Sequence, residues 1–164
     1  MTRPIDRRRF LLATVAATTG VTLGPAAALA QPARASQASA QSAASMQEAI
    51  RRVVGSATIR QGKVTLDLPP LVDNGNTVSL AVRVDSPMSE RDYVKAIHIF
   101  NEKNPLPDVA SFHLGPRAGR ASVATRIRLA DTQTVVAICE MSDGSFWSGS
   151  AEAVVTIAAC LEDL

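Results

Sequence analysis

Alternating apolar positions, turn-forming clusters at regular intervals and one short helical period predict a mainly β fold. The architecture expected is an immunoglobulin-like, antiparallel β-sandwich of about seven strands, preceded by a short N-terminal helix. The alternation is clearest in Val64-Thr65-Leu66-Asp67-Leu68 and in residues 77–84, where every second side chain is apolar. The punctuation is clearest at Asp73-Asn74-Gly75-Asn76, at Gly115-Pro116-Arg117-Ala118-Gly119 and at Ser142-Asp143-Gly144-Ser145.

The first thirty of the 164 residues stand apart from the fold. Asp6-Arg7-Arg8-Arg9-Phe10-Leu11-Leu12 is a paired-arginine signature, and the apolar run behind it ends in Ala28-Leu29-Ala30, a small-x-small cleavage pattern. Basic head, apolar middle and small-residue exit describe a signal peptide over residues 1–30, of the twin-arginine type. The run is short and dominated by Ala, Thr and Gly, so it is a poor membrane anchor. The expected location is therefore the bacterial periplasm, with no membrane attachment after cleavage.

Of the 17 basic and 15 acidic residues, this signal holds Arg3, Arg7, Arg8 and Arg9 against Asp6. The remainder carries 13 basic and 14 acidic residues. No basic field is left to argue for nucleic acid.

Residues 31–44 are almost entirely Gln, Ala, Ser, Pro and Arg, and are expected to form a flexible leader. The folded domain is expected over residues 45–157. Ser45 with Glu48 has capping-box spacing, Met46, Ala49, Ile50, Val53 and Val54 share one helical face, and Gly55 is a stop. Strands follow at residues 63–68 and 77–84. Residues 93–100 are nearly continuously apolar, as suits a strand buried on both faces. Asn104-Pro105-Leu106-Pro107 is a loop. Strands are expected again at 109–114, 122–129, 133–141 and 146–159, the last with a bend near Gly149.

Candidate chemistry is sparse. There is no Gly-rich phosphate loop, no GxSxG and no HExxH. His98 and His113 are the only histidines; on neighbouring strands they could hold a metal with Met88 or Met141, or simply pack. Cys139 alternates with Ala137 and Met141 on a strand, as a small buried hydrophobe would, although a disulfide or a second reactive thiol fits as well.

Cys160 follows the last strand. It either packs inward or becomes a thiol on a tether, and composition balances the two. Six extended residues would reach roughly 20 Å, far enough to enter another protein's active site. Glu162, Asp163 and a terminal carboxylate disfavour the thiolate, so this thiol suits a carrier better than a catalytic nucleophile.

Several strings resemble the SoxY-type sulfur carriers: Ser86-Pro87-Met88, Tyr93-Val94-Lys95-Ala96-Ile97-His98-Ile99-Phe100, Glu102-Lys103-Asn104-Pro105-Leu106-Pro107, Phe112-His113-Leu114-Gly115-Pro116-Arg117-Ala118-Gly119, Arg126-Ile127-Arg128-Leu129-Ala130 and Met141-Ser142-Asp143-Gly144-Ser145-Phe146-Trp147. The resemblance implies a non-enzymatic carrier in periplasmic thiosulfate oxidation, without a cofactor. It would be paired with a SoxZ-like β-sandwich subunit and served by sulfur-oxidising enzymes. It also implies that Cys160 holds the sulfur covalently on an arm spanning residues 158–164.

The family arm is Gly-Gly-Cys-Gly-Gly, whereas this one is Ala158-Ala159-Cys160-Leu161-Glu162-Asp163-Leu164. Alanine narrows backbone freedom, and Leu161 and Glu162 add bulk and charge beside the thiol. A divergent paralogue with altered enzymes or cargo is expected. The competing expectations are a structural assembly module, a periplasmic metal-binding protein, and a homodimer joined through Cys160.

Overall fold

The computed structural model describes residues 32–158, with side chains from residue 43 onward. The export signal lies outside the described residues. Helix α1 spans Pro32–Val54. The expected flexible leader is therefore helical from Pro32, and Ser45 sits inside the helix rather than capping it. The segment is Ala-rich with Gln, Ser and Arg between, residues that favour or tolerate helix, and proline suits a first turn. Helix propensity along the segment outweighs its lack of apolar residues to bury.

The apolar stripe is as the spacing predicts: Met46, Ala49, Ile50 and Val54 are buried and Val53 packs at their margin. Gly55 adopts φ 64°, and its N–H donates to the Arg51 carbonyl at 2.8 Å, which stops the helix.

Nine strands follow among the described residues: β1 (Ile59–Gln61), β2 (Val64–Asp67), β3 (Leu71–Asn74), β4 (Val78–Val84), β5 (Val94–Asn101), β6 (Asp108–His113), β7 (Ser122–Ile127), β8 (Gln133–Met141) and β9 (Phe146–Ile157). One sheet has the order β1-β9-β8-β5-β6, with β3 also paired to β9; the other has the order β2-β4-β7. The seven expected strands are β2 and β4 to β9.

The two additional strands, β1 and β3, run parallel to β9, along its first and last thirds. They are three and four residues long and show no alternation of their own. Backbone pairing to a long neighbour makes them strands, so side-chain pattern carried no trace of them. The other pairings are antiparallel.

The main core lies between the sheets. Val78, Leu80, Val82 and Val84 of β4 face Ile97 and Ile99 of β5 and Val135, Ala137 and Cys139 of β8. The outer face of the larger sheet carries α1, whose Met46, Ala49 and Ile50 cluster with Phe100, Ile138 and Phe146. β5 is thus covered on both faces, which is why its apolar run is almost unbroken.

β9 continues through Gly149 without interruption. The glycine serves a close approach instead: a Cβ there would lie 2.3 Å from the Val64 carbonyl oxygen.

One core residue sits badly. Asn101 is fully buried, and neither its Oδ1 nor its Nδ2 has a hydrogen-bond partner among the described residues. A buried polar group left unpaired costs about 1–3 kcal/mol. Asn101→Leu, branched at the same carbon, is expected to raise the urea midpoint, by an amount equivalent to about 1 kcal/mol. A lowered midpoint would show that the amide is satisfied.

Candidate functional site: the root of a cysteine arm

β9 positions the candidate site because it delivers the chain to residue 158. Its last turn of pairing is heavily tied. The Thr156 hydroxyl donates to the Asp73 carbonyl at 2.9 Å and to the Val72 carbonyl at 3.3 Å. The Val154 N–H donates to the Pro70 carbonyl, whereas the Val155 N–H donates to the Thr132 hydroxyl at 3.0 Å. The Ile157 carbonyl accepts from the Gly75 N–H at 2.8 Å, and the Gly75 carbonyl in turn accepts from the Leu129 N–H at 2.9 Å.

The sequence-singled turn Asp73-Asn74-Gly75-Asn76 is therefore the clamp on the end of β9. Ile157 is the last clamped residue, yet it is 63% exposed. Of the arm residues, Ala158 is half-buried just beyond the clamp. Ala159, Cys160, Leu161 and Glu162 lie outside the described residues.

A polar network braces the same end. Asn104 donates to the Arg128 carbonyl at 2.9 Å and accepts from the Ala130 N–H and the Gln133 amide. Lys103 pairs with Asp131 at 3.0 Å, and the hydrogen bond from that ammonium holds the Asp131 carboxyl below its ordinary range. These side chains fix the loops on either side of the exit.

The other sequence candidates fall elsewhere. Cys139 is fully buried in the inner face of β8, opposite Trp147 of β9. Burial pushes its thiol up to about 11. Ten residues of β9 separate Trp147 from Ile157, about 33 Å of strand. Cys160 is three residues past Ile157, a reach of about 11 Å at most. A disulfide needs Cα atoms within about 7 Å, so Cys139 and Cys160 of one chain do not pair.

His98 and His113 do come together, with ring centroids 6.3 Å apart and edge to face. His98 is bound through Nδ1 to the Ser111 hydroxyl at 2.8 Å. Both rings lie on the outer face of the larger sheet, while Met88 and Met141 are buried between the sheets. The proposed metal ligands are thus on opposite faces, and no group of three or more His, Cys, Asp or Glu is assembled among the described residues.

Burial, and then the neighbouring His113, lower the His98 pKa below 6.5. A depressed folded-state value means that the unfolded chain binds the proton more readily. The stabilisation is complete above about pH 6.5 and is lost as pH falls through the folded value. Urea unfolding between pH 7.5 and 5.5 should show declining stability, with a flatter profile in His98→Gln. Identical slopes would refute this.

Comparison with known proteins decides the family. The family model described as sulfur oxidation protein SoxY matches residues 50–160, about two thirds of the chain, and its last matched residue is Cys160. The chain belongs to the SoxY family. A solved SoxY sulfur carrier protein, from Chlorobium limicola f thiosulfatophilum, is 29% identical, with a TM-score of 0.60, covering 70% of this chain and 99% of that one.

A superoxide reductase (neelaredoxin) from Ignicoccus hospitalis is 15% identical, with a TM-score of 0.52 over 59% of this chain and 94% of that one. That likeness shows a shared fold alone. No curated protein matches the sequence. The SoxY assignment makes the chain a member of a sulfur-carrier family of sulfur oxidation.

Proposed function

We propose that the chain is a covalent sulfur carrier of periplasmic, thiosulfate-type oxidation. Cys160 holds the sulfur intermediate and presents it to partner enzymes, and the sandwich turns over no substrate itself. The observation that carries this reading is the clamp on Ile157, three residues before a thiol on which the family match ends. A rigid end to β9 makes the arm short and its root fixed. The thiol is offered within about 11 Å of a surface that a partner can recognise.

Loading forms one bond. The Cys160 sulfur joins the outer sulfur of a thiosulfate-type anion, forming an S–S bond and releasing one proton and two electrons. An enzyme-bound electron acceptor takes the electrons. Glu162 and Asp163 beside the thiol disfavour its ionisation, so the partner enzyme supplies the base as well.

A SoxZ-like β-sandwich subunit is the proposed partner, with a second copy joined through Cys160 as the competing arrangement. The paired arginines before Phe10 and the small-residue exit at Ala28-Leu29-Ala30 support export by the twin-arginine route and a periplasmic location. Among the described residues no helix is long and apolar enough to cross a membrane.

The test is intact mass of the mature protein purified without reductant. A sulfur adduct removed by dithiothreitol supports the carrier. A clean unmodified mass, with Cys160 unreactive to thiol reagents in the folded state, refutes it.

A further inference from the structure

The end of the sandwich away from the arm root holds a second feature, which the carrier reading does not use. The β8–β9 turn, Ser142-Asp143-Gly144-Ser145, leads into Trp147, and beside it opens a cavity of 330 Å³. Three cations line it: Arg60, Lys63 and Arg91. The Arg60 guanidinium lies 5.5 Å and the Lys63 ammonium 5.0 Å from the centre of the Trp147 ring. Arg60 is the direct cross-strand partner of Trp147 in the β1–β9 pairing. The ring is itself held, its Nε1–H donating to the Ser145 hydroxyl at 3.2 Å.

Lys63 reaches this place through a disfavoured backbone. It adopts φ 57°, directly after Gly62 at φ 107°. A lysine gains nothing locally from the left-handed region. Here that conformation accompanies placement of an ammonium beside a second cation on one ring.

None of the three cations forms an ion pair among the described residues. Two acids face them. Asp143 is committed to the Ser145 hydroxyl and N–H, which hold its carboxyl low, with Arg60 contributing less. Asp92 lines the cavity as well, which leaves three cations against two acids. Cations gathered in one cavity, two of them against one aromatic ring, repel one another, and a compact anion among them relieves that repulsion.

The arm of the same chain does not supply the anion. Trp147 is about 33 Å from Ile157 along β9. Asp163 is six residues past Ile157, a reach of roughly 20 Å.

We propose that this cavity binds a compact, multivalent oxyanion. The chemistry is shared by a free sulfate-type ion and by the adjacent carboxylates of an acidic segment such as Glu162-Asp163 of a second copy. The inference does not depend on the carrier reading.

Trp147 is the chain's single tryptophan, so fluorescence excited at the red edge, where Tyr93 does not absorb, reports on this cavity. The mature chain is titrated with sodium sulfate at constant ionic strength, balanced by chloride. In a parallel arm it is titrated with a synthetic peptide of residues 158–164 carrying serine in place of Cys160. A saturable change with a millimolar midpoint is expected, weakened at least tenfold in the double variant Lys63→Gly, Arg91→Gln. Glycine at position 63 keeps the positive φ while removing the charge. Saturation by sulfate alone assigns a free ion as the source; saturation by the peptide, with or without sulfate, assigns the acidic segment. No saturation with either probe, or an equal response in the double variant with unchanged far-ultraviolet circular dichroism, overturns the proposal.

Discussion

Cys160→Ser is expected to abolish covalent sulfur loading completely while leaving the fold intact. The variant should show no reductant-sensitive adduct, and its thermal transition should match the parent within about 1 kcal/mol, as for a surface substitution. The structure supplies the internal control. Cys139 is fully buried, with its thiol pushed up to about 11, so the thiolate fraction at neutral pH is on the order of 10⁻⁴.

Under native conditions a maleimide should therefore modify the reduced parent once and Cys160→Ser not at all. After denaturation the counts should rise to two and one. Because β9 keeps the two cysteines of one chain well beyond disulfide reach, the oxidised monomer should contain no internal bridge. A native count of two, or an adduct that survives Cys160→Ser, would move the chemistry to Cys139 and end the arm reading.

The largest loss of stability is expected at Gly149. An alanine Cβ there would stand 2.3 Å from the Val64 carbonyl oxygen, 3.0 Å from its carbon and 3.1 Å from Leu66 Cδ1. The first two are backbone atoms of β2, so no rotamer change relieves the clash. The two sheets must part locally, or the β2 backbone must move. Gly149→Ala should cost roughly 3 kcal/mol, the upper end for overpacking, and lower the melting temperature by about 10 °C. Gly115→Ala is the matched control, since a Cβ at Gly115 meets nothing within 4 Å. A Gly149→Ala transition within 1 kcal/mol of the parent would show that the sheets do not meet backbone to backbone at this point.

Much of the scaffold was legible in the residues. β2, β4 and β7 announced themselves by alternation because one face of each meets the core and the other does not. β5 announced itself by losing the alternation, because α1 covers its second face. The stripe of α1 was equally plain. The turn at Asp73-Asn74-Gly75-Asn76 was visible as a turn, but not as the clamp on Ile157, because its partner lies more than eighty residues away in sequence.

By itself the sequence determined the sandwich class, the family strings and the presence of a thiol after the last strand, since each depends on local pattern or residue identity. Only the tertiary structure decided that β1 and β3 exist, that the pairing of β9 is clamped as far as Ile157 and that Cys139 lies about ten strand residues from that clamp. It alone brought Arg60 and Lys63 to the Trp147 ring and Arg91 into the same cavity. These are distances between segments remote in the chain, and they follow from how backbones pair and where sheets close, which side-chain periodicity does not encode. The thiol could be read from the residues, but the clamp on Ile157 three residues before it could not.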